Sequence, residues 1–130
     1  MKYLLDTNTI IALFKGNKLF LDRLRSHHVM DFGISSVVVH ELFYGAYKSQ
    51  RQSENLQRVD NLQFEIVHFI SNDARWAGKL RAKLARNGTP IGPYDILIAG
   101  QAVSRNLILL TNNTREFQRV EELKIEDWTI

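Results

Sequence analysis

Tyr3-Leu4-Leu5-Asp6-Thr7-Asn8, followed by Ile10-Ile11-Ala12-Leu13-Phe14, is the stretch from which the fold can be read. Three apolar residues make a short strand buried on both sides. Asp6 to Asn8 then supply the side-chain oxygens that start a helix. Gly16 and Asn17 break that helix.

The same order of strand, polar break and helix recurs along the chain. Leu19–Leu24 reads as a second helix with Leu19, Phe20 and Leu24 on its apolar face. Phe32–Ile34 reads as a strand. Ser35 or Ser36 caps a helix running to about Lys48, on which Val37, Val38, Glu41, Leu42 and Gly45 share a face. Ser53–Leu62 is a helix and Phe64–Val67 a strand. Asn72 reads as the N-cap of a long helix and Gly88 as the residue past its end. Trp76, Ala77, Leu80 and Leu84 form that helix's buried stripe. Pro93 suits a first helical turn, so a further helix spans Pro93–Ser104. Leu107–Leu110 is a strand, Asn113–Phe117 a short helix or turn, and Lys124–Trp128 a last strand. Strands alternating with helices predict an α/β fold, a parallel sheet covered by helices on both faces. Ligands of such sheets bind at the carboxyl ends of the strands.

Three acids stand among apolar neighbours. Asp6 closes the first strand. Glu41 lies on the apolar stripe of its helix. Asp95 precedes Ile96-Leu97-Ile98-Ala99. Each has a plain structural alternative: Asp6 as a helix cap, Glu41 as a solvated helix residue, Asp95 as a charge favoured in a first turn. Converging carboxylates would repel one another unless a cation neutralised them, and oxygen-only ligands suit Mg²⁺ or Mn²⁺.

These contexts resemble the PIN-domain ribonucleases, and more closely the VapC-type toxins of bacterial type II toxin–antitoxin pairs. The resemblance is carried by Leu4-Leu5-Asp6-Thr7-Asn8, by Ile34-Ser35-Ser36 with His40-Glu41-Leu42 and Tyr44-Gly45-Ala46, by Gly88-Thr89-Pro90-Ile91-Gly92-Pro93-Tyr94-Asp95-Ile96-Leu97-Ile98-Ala99, and by Thr111-Asn112-Asn113-Thr114-Arg115-Glu116-Phe117. Each is weak alone; four in this order cover nearly the whole chain. The resemblance implies one PIN domain over residues 1–130, with a five-stranded parallel sheet ordered 3-2-1-4-5 and the acids at one edge. It implies a metal-dependent endoribonuclease in which Asp6, Glu41 and Asp95 hold one or two Mg²⁺ or Mn²⁺ ions. Asn113 stands where many PIN nucleases carry a fourth catalytic aspartate. Asn112 and Glu116 are the nearby substitutes. Thr7, Asn8 and Thr111 are expected to orient the carboxylates, although Asn8 has the alternative of helping to start its helix.

An acidic site does not attract RNA by itself, so nearby cations must do so. Arg75, Lys79, Arg86 and Arg115 are the candidates, with Lys15 and Lys18 behind them. The alternative for each is ordinary solvated helix charge. The resemblance implies a structured RNA substrate, often a transfer RNA cut in its anticodon loop, with inhibition of translation as the result. It also implies a homodimer and a small VapB-type antitoxin that wraps the enzyme and pushes a side chain into the cleft. Phe14, Phe20, Leu21, Tyr44 and Tyr47 are candidate antitoxin contacts, with ordinary core as the alternative.

The chain has 130 residues, 45% of them hydrophobic, enough for one domain's core. No run approaches a membrane span, and an acid interrupts the start too early for a signal peptide. Cysteine is absent, which excludes thiolate metal sites and disulfides and fits the cytoplasm. The net charge is +3 and the pI about 9.3, a mild bias toward a polyanionic partner. His40-Glu41-Leu42-Phe43-Tyr44 lacks the second histidine of a zinc-protease motif. His27 and His28 read as exposed, and His68 as packed or solvated. An aspartyl-phosphate phosphatase would need a second acid where Asn8 stands. A non-catalytic RNA-binding module stays open through Asn113. No helix-turn-helix is recognisable, so DNA contact would fall to the antitoxin.

Overall fold

A computed structural model describes residues 1–130. β1 (Tyr3–Leu5) is the centre of the sheet because its residues are buried on both faces. It pairs in parallel with β2 (Phe32–Ser35) on one side and β4 (Ile108–Leu110) on the other, with Leu5 opposite both Ile34 and Leu110. β3 (Glu65–Val67) and β5 (Ile125–Glu126) complete the order β3-β2-β1-β4-β5, all parallel. The expected architecture and strand order are therefore present.

The helices are α1 (Thr7–Phe14), α2 (Lys18–Arg25), α3 (Ser36–Lys48), α4 (Gln52–Asp60), α5 (Ser71–Arg86), α6 (Pro93–Ser104) and α7 (Thr114–Phe117). Ser35 caps α3 through the Val37 N–H, and Asn17 caps α2 through the Phe20 N–H. Gly88, at φ +69°, takes the left-handed conformation that lets the chain leave α5. α5 and α6 run antiparallel: Asn72 meets Ser104, and Gly100 faces Ala77. A Cβ at Gly100 would stand 2.6 Å from that of Ala77, so only glycine admits this approach. Leu4, Leu5, Ile34, Ile98, Leu109 and Leu110 are fully buried; each contributes roughly 1.5–3 kcal/mol by leaving water.

Four expectations need correction. Asn72 is not the N-cap of α5. Ile70, extended, holds that position, and the Asp73 carboxylate accepts its N–H over 2.9 Å. Asp73 is fully buried and pairs with Arg105 at 3.1 Å. Phe20 is not a surface contact. It is fully buried, beside Trp128. His27 is not exposed but half-buried among Tyr3, Phe32 and Trp128. The last strand is shorter than expected, because Asp127 turns to accept the Thr129 N–H and hydroxyl. No helix is long and apolar enough to cross a membrane.

Candidate active site

The parallel ladder fixes the first member of the site. Leu5 and Leu110 end adjacent strands in register, so the residues after them, Asp6 and Thr111, lie side by side at the carboxyl edge. Asp6 is 4% exposed. Its Oδ1 accepts the Thr9 N–H over 2.8 Å, so the helix-cap role is real. Burial nonetheless pushes the Asp6 carboxyl above its usual range, with the Glu41 charge adding to the rise. Bonds from Thr111 and Thr9 only partly offset this.

α3 brings Glu41, half-buried, to the same edge, where it accepts the Thr7 hydroxyl at 3.1 Å. Asp95 enters in the first turn of α6. Its carboxyl is pushed up to about 7, first by burial and then by the charges of Glu116, Glu41 and Asp6. Glu116 of α7 is the fourth acid. It accepts Asn113 Nδ2 at 3.0 Å and the Gly92 N–H at 2.5 Å, and these bonds hold it below the usual carboxylate range. Gly92 lies close against both acids. A Cβ there would stand 3.1 Å from Asp95 Oδ2 and 3.5 Å from Glu116 Oε1.

The structure thus brings together Asp6, Glu41, Asp95 and Glu116, with Thr7 and Thr111 on the carboxylates. Asn113 serves here as the residue that holds Glu116. Asn8 and Asn112 are exposed, and neither side chain hydrogen-bonds to an acid. Arg86 lies at the end of α5 nearest Asp95, and Arg115 is next to Glu116. Arg75 and Lys79 lie toward the other end of α5, where it meets the end of α6, and Lys79 sits over the Trp76 ring at 4.8 Å. Lys15 and Lys18 are exposed at the α1–α2 junction. Two cations were missed. Arg119 moderates Glu116 and binds the Pro90 carbonyl at 2.8 Å. Arg58 of α4 lines a cavity of about 180 Å³ with Thr7, Ile11, Phe14, Glu41 and Val59. Arg119 was findable from its spacing to Glu116; nothing in the sequence marks Arg58.

None of the chain's ion pairs involves the four acids. No three Asp, Glu or His side chains are packed tightly enough to ligate one ion as they stand, yet the charge coupling at Asp95 spans all four carboxylates. The donor set is oxygen only and carries negative charge that no ion pair neutralises, which is the chemistry of a hard divalent cation.

A PIN-domain model matches residues 3–123. The chain is 42% identical to the "tRNA(fMet)-specific endonuclease VapC" of Salmonella typhimurium over 98% of both chains. It is 36% identical to "Ribonuclease VapC2" of Haemophilus influenzae, again over 98% of each. Among solved structures, a DNA-bound VapBC from Salmonella typhimurium superposes with a TM-score of 0.94, at 42% identity and 98% coverage of both chains. Fold, acid placement and these likenesses agree: the chain belongs to the PIN-domain family and, within it, to the VapC group of ribonucleases.

Proposed function

We propose that the chain is the toxin of a type II toxin–antitoxin pair, an endoribonuclease that hydrolyses RNA phosphodiester bonds with Mg²⁺ or Mn²⁺ and works in the cytoplasm. One observation carries the reading: four carboxylates, from the residue after β1 and from α3, α6 and α7, press on one another at the sheet's carboxyl edge, and none of them is in an ion pair. Asp6, Glu41 and Asp95 would hold the ion. When bound, it would neutralise charge on the phosphate and make water acidic enough to supply hydroxide at neutral pH.

The chain's own groups do the rest. Thr7 fixes Glu41 and Thr111 fixes Asp6, so the carboxylates present set oxygens to the cleft. Asp95, pushed up to about 7, would release its proton to solvent on taking up a cation and so join the ligands as a carboxylate. Asn113 and Gly92 keep Glu116 ionised. Asn113 therefore acts by holding the charge that an aspartate would otherwise bring. Arg58, which shares a cavity with Glu41, and Arg86 and Arg115, at the end of α5 and beside Glu116 in sequence, are the cations that would counter the acids' repulsion of RNA. The name of the Salmonella typhimurium relative supports a transfer RNA as substrate, and cutting at one site in its anticodon loop agrees with the family resemblance. A homodimer agrees with the family resemblance.

The cavity beside Glu41 fits the antitoxin. Ile11, Phe14 and Val59 offer apolar cover, and Glu41 offers a partner for an inserted basic side chain. Exposed Tyr44 and Tyr47 extend the same helix outward. The solved relatives are toxin–antitoxin complexes, which supports such a partner here.

The test is incubation of the partner-free protein with total cellular RNA and Mg²⁺ or Mn²⁺, beside Asp6→Asn and a chelator, with ends mapped by sequencing. A discrete cut lost in both controls is expected. A folded protein that cuts nothing would favour a non-catalytic RNA-binding module instead.

A further inference from the structure

Ile11 also lines a second depression, of about 550 Å³, on the other side of α1. Its remaining wall includes Asn8, Lys15, Asn17, Asn112 and Thr129. This volume lies within the usual range of small-ligand sites, but the lining is mostly amide, hydroxyl and ammonium. Asn8 and Asn112 are exposed and their side-chain amides bond to nothing in the protein, whereas the amide of neighbouring Asn113 is tied to Glu116 through Nδ2. Asn17 uses only Oδ1, on the Phe20 N–H, so its NH₂ is a free donor. Lys15 is in no ion pair. The Thr129 hydroxyl donates to Asp127 and keeps its lone pairs, and Arg23 pins that tail through the Asp127 and Ile130 carbonyls.

Position gives these groups a use. Ile11 lines both this depression and the cavity that holds Thr7 and Glu41, so the two adjoin across α1, with Asn8 two residues beyond Asp6 and Asn112 directly after Thr111. A free carboxamide offers a donor and an acceptor side by side, the arrangement that pairs with a base edge. Ile11 offers an apolar surface for a ring, and Lys15 a point charge for phosphate.

We propose that this depression is a base-reading subsite, holding one unstacked RNA nucleobase next to the cut phosphate. Asn8 and Asn112 hydrogen-bond its edge, and Lys15 meets the flanking phosphate. Sequence-selective RNA recognition works on such splayed bases. The inference rests on the ribonuclease reading above and adds which residues choose the substrate.

Two measurements test it. In the first, ¹⁵N-labelled wild-type protein in chelator is titrated with each of the four nucleoside 5′-monophosphates, and the side-chain amide signals of Asn8 and Asn112 are followed. They should shift for one base well before the others. In the second, wild type and the double variant Asn8→Ala/Asn112→Ala cut total RNA with Mn²⁺. The preference for one base beside the cut should fall roughly tenfold in the variant, the loss expected for one base-edge contact. Unmoved amide signals, or wild-type cutting with the same base preference in the double variant, would overturn the subsite. If wild type cuts no RNA, the ribonuclease reading fails separately. The amide titration then decides alone whether the depression binds nucleotide, and it does so even if the variant fails to fold.

Discussion

Gly92 donates its backbone N–H to Glu116 Oε1 over 2.5 Å, tying α7 to the loop that delivers Asp95. The bond keeps Glu116 charged and close, and that charge is the largest contribution after burial to the rise at Asp95. Glu116→Gln keeps an acceptor for Gly92 and removes the charge. The Asp95 carboxyl should then titrate well below 7 in carboxyl ¹³C NMR. A titration that does not move would separate the two residues.

Asp95 also sets a pH dependence of stability. Its folded value, about 7, lies above the ordinary 3.8, so its contribution is fully present below about 4 and is lost as pH rises through 7. Asp95→Asn should therefore raise the melting temperature of the metal-free protein at pH 8 and not at pH 4. With the group half-exposed, screening reduces the gain to the order of 1 kcal/mol, roughly 4 °C. An equal shift at both pH values would show that repacking, not charge, is responsible.

Mg²⁺ or Mn²⁺ should stabilise wild type by about 2.7 kcal/mol at a hundredfold excess over the dissociation constant. Asp6→Asn should lose most of this response. At pH 6.5, calorimetry in buffers of different ionisation enthalpy should detect protons released on binding, because Asp95 is then largely protonated. Melting curves that ignore metal would remove the cation from the mechanism.

Arg105 is the partner of fully buried Asp73. Arg105→Ala leaves that carboxylate with only the Ile70 N–H, at a cost of about 3 kcal/mol and a melting temperature lower by roughly 10 °C. A loss below about 1 kcal/mol would show that water replaces the arginine.

Arg86→Gln and Arg115→Gln should each weaken RNA binding and reduce the salt slope by about 1. The readout is binding of uncut RNA by Asp6→Asn at several salt concentrations. Slopes equal to the parent's would place the RNA elsewhere.

Asp6, Glu41 and Asp95 were legible because each charge interrupts an apolar pattern of known period. The strand order came with the family resemblance, and α6 was legible from Pro93 to Ser104 because proline marks its start. Glu116 could not be decided, since its place depends on an N–H supplied 24 residues earlier. Phe20 and His27 were misjudged for a similar reason. What buries them includes Trp128, at the far end of the chain. Asn72 was preferred over Ile70 because cap preference is a side-chain rule, whereas here the carboxylate of Asp73 reaches back to the start. Asn8 was expected to orient the carboxylates and Asn112 to stand in for the fourth acid, but sequence proximity to an acid does not tell which way an amide points.

The acids come from both extremes of the polypeptide, Asp6 near the start and Glu116 close to the end, and β1 needs β4 beside it before Asp6 and Thr111 become neighbours. The cluster of acids is thus a product of tertiary assembly: a chain interrupted before β4 and α7 would keep Asp6 and Glu41 but would lack the neighbours that complete the set.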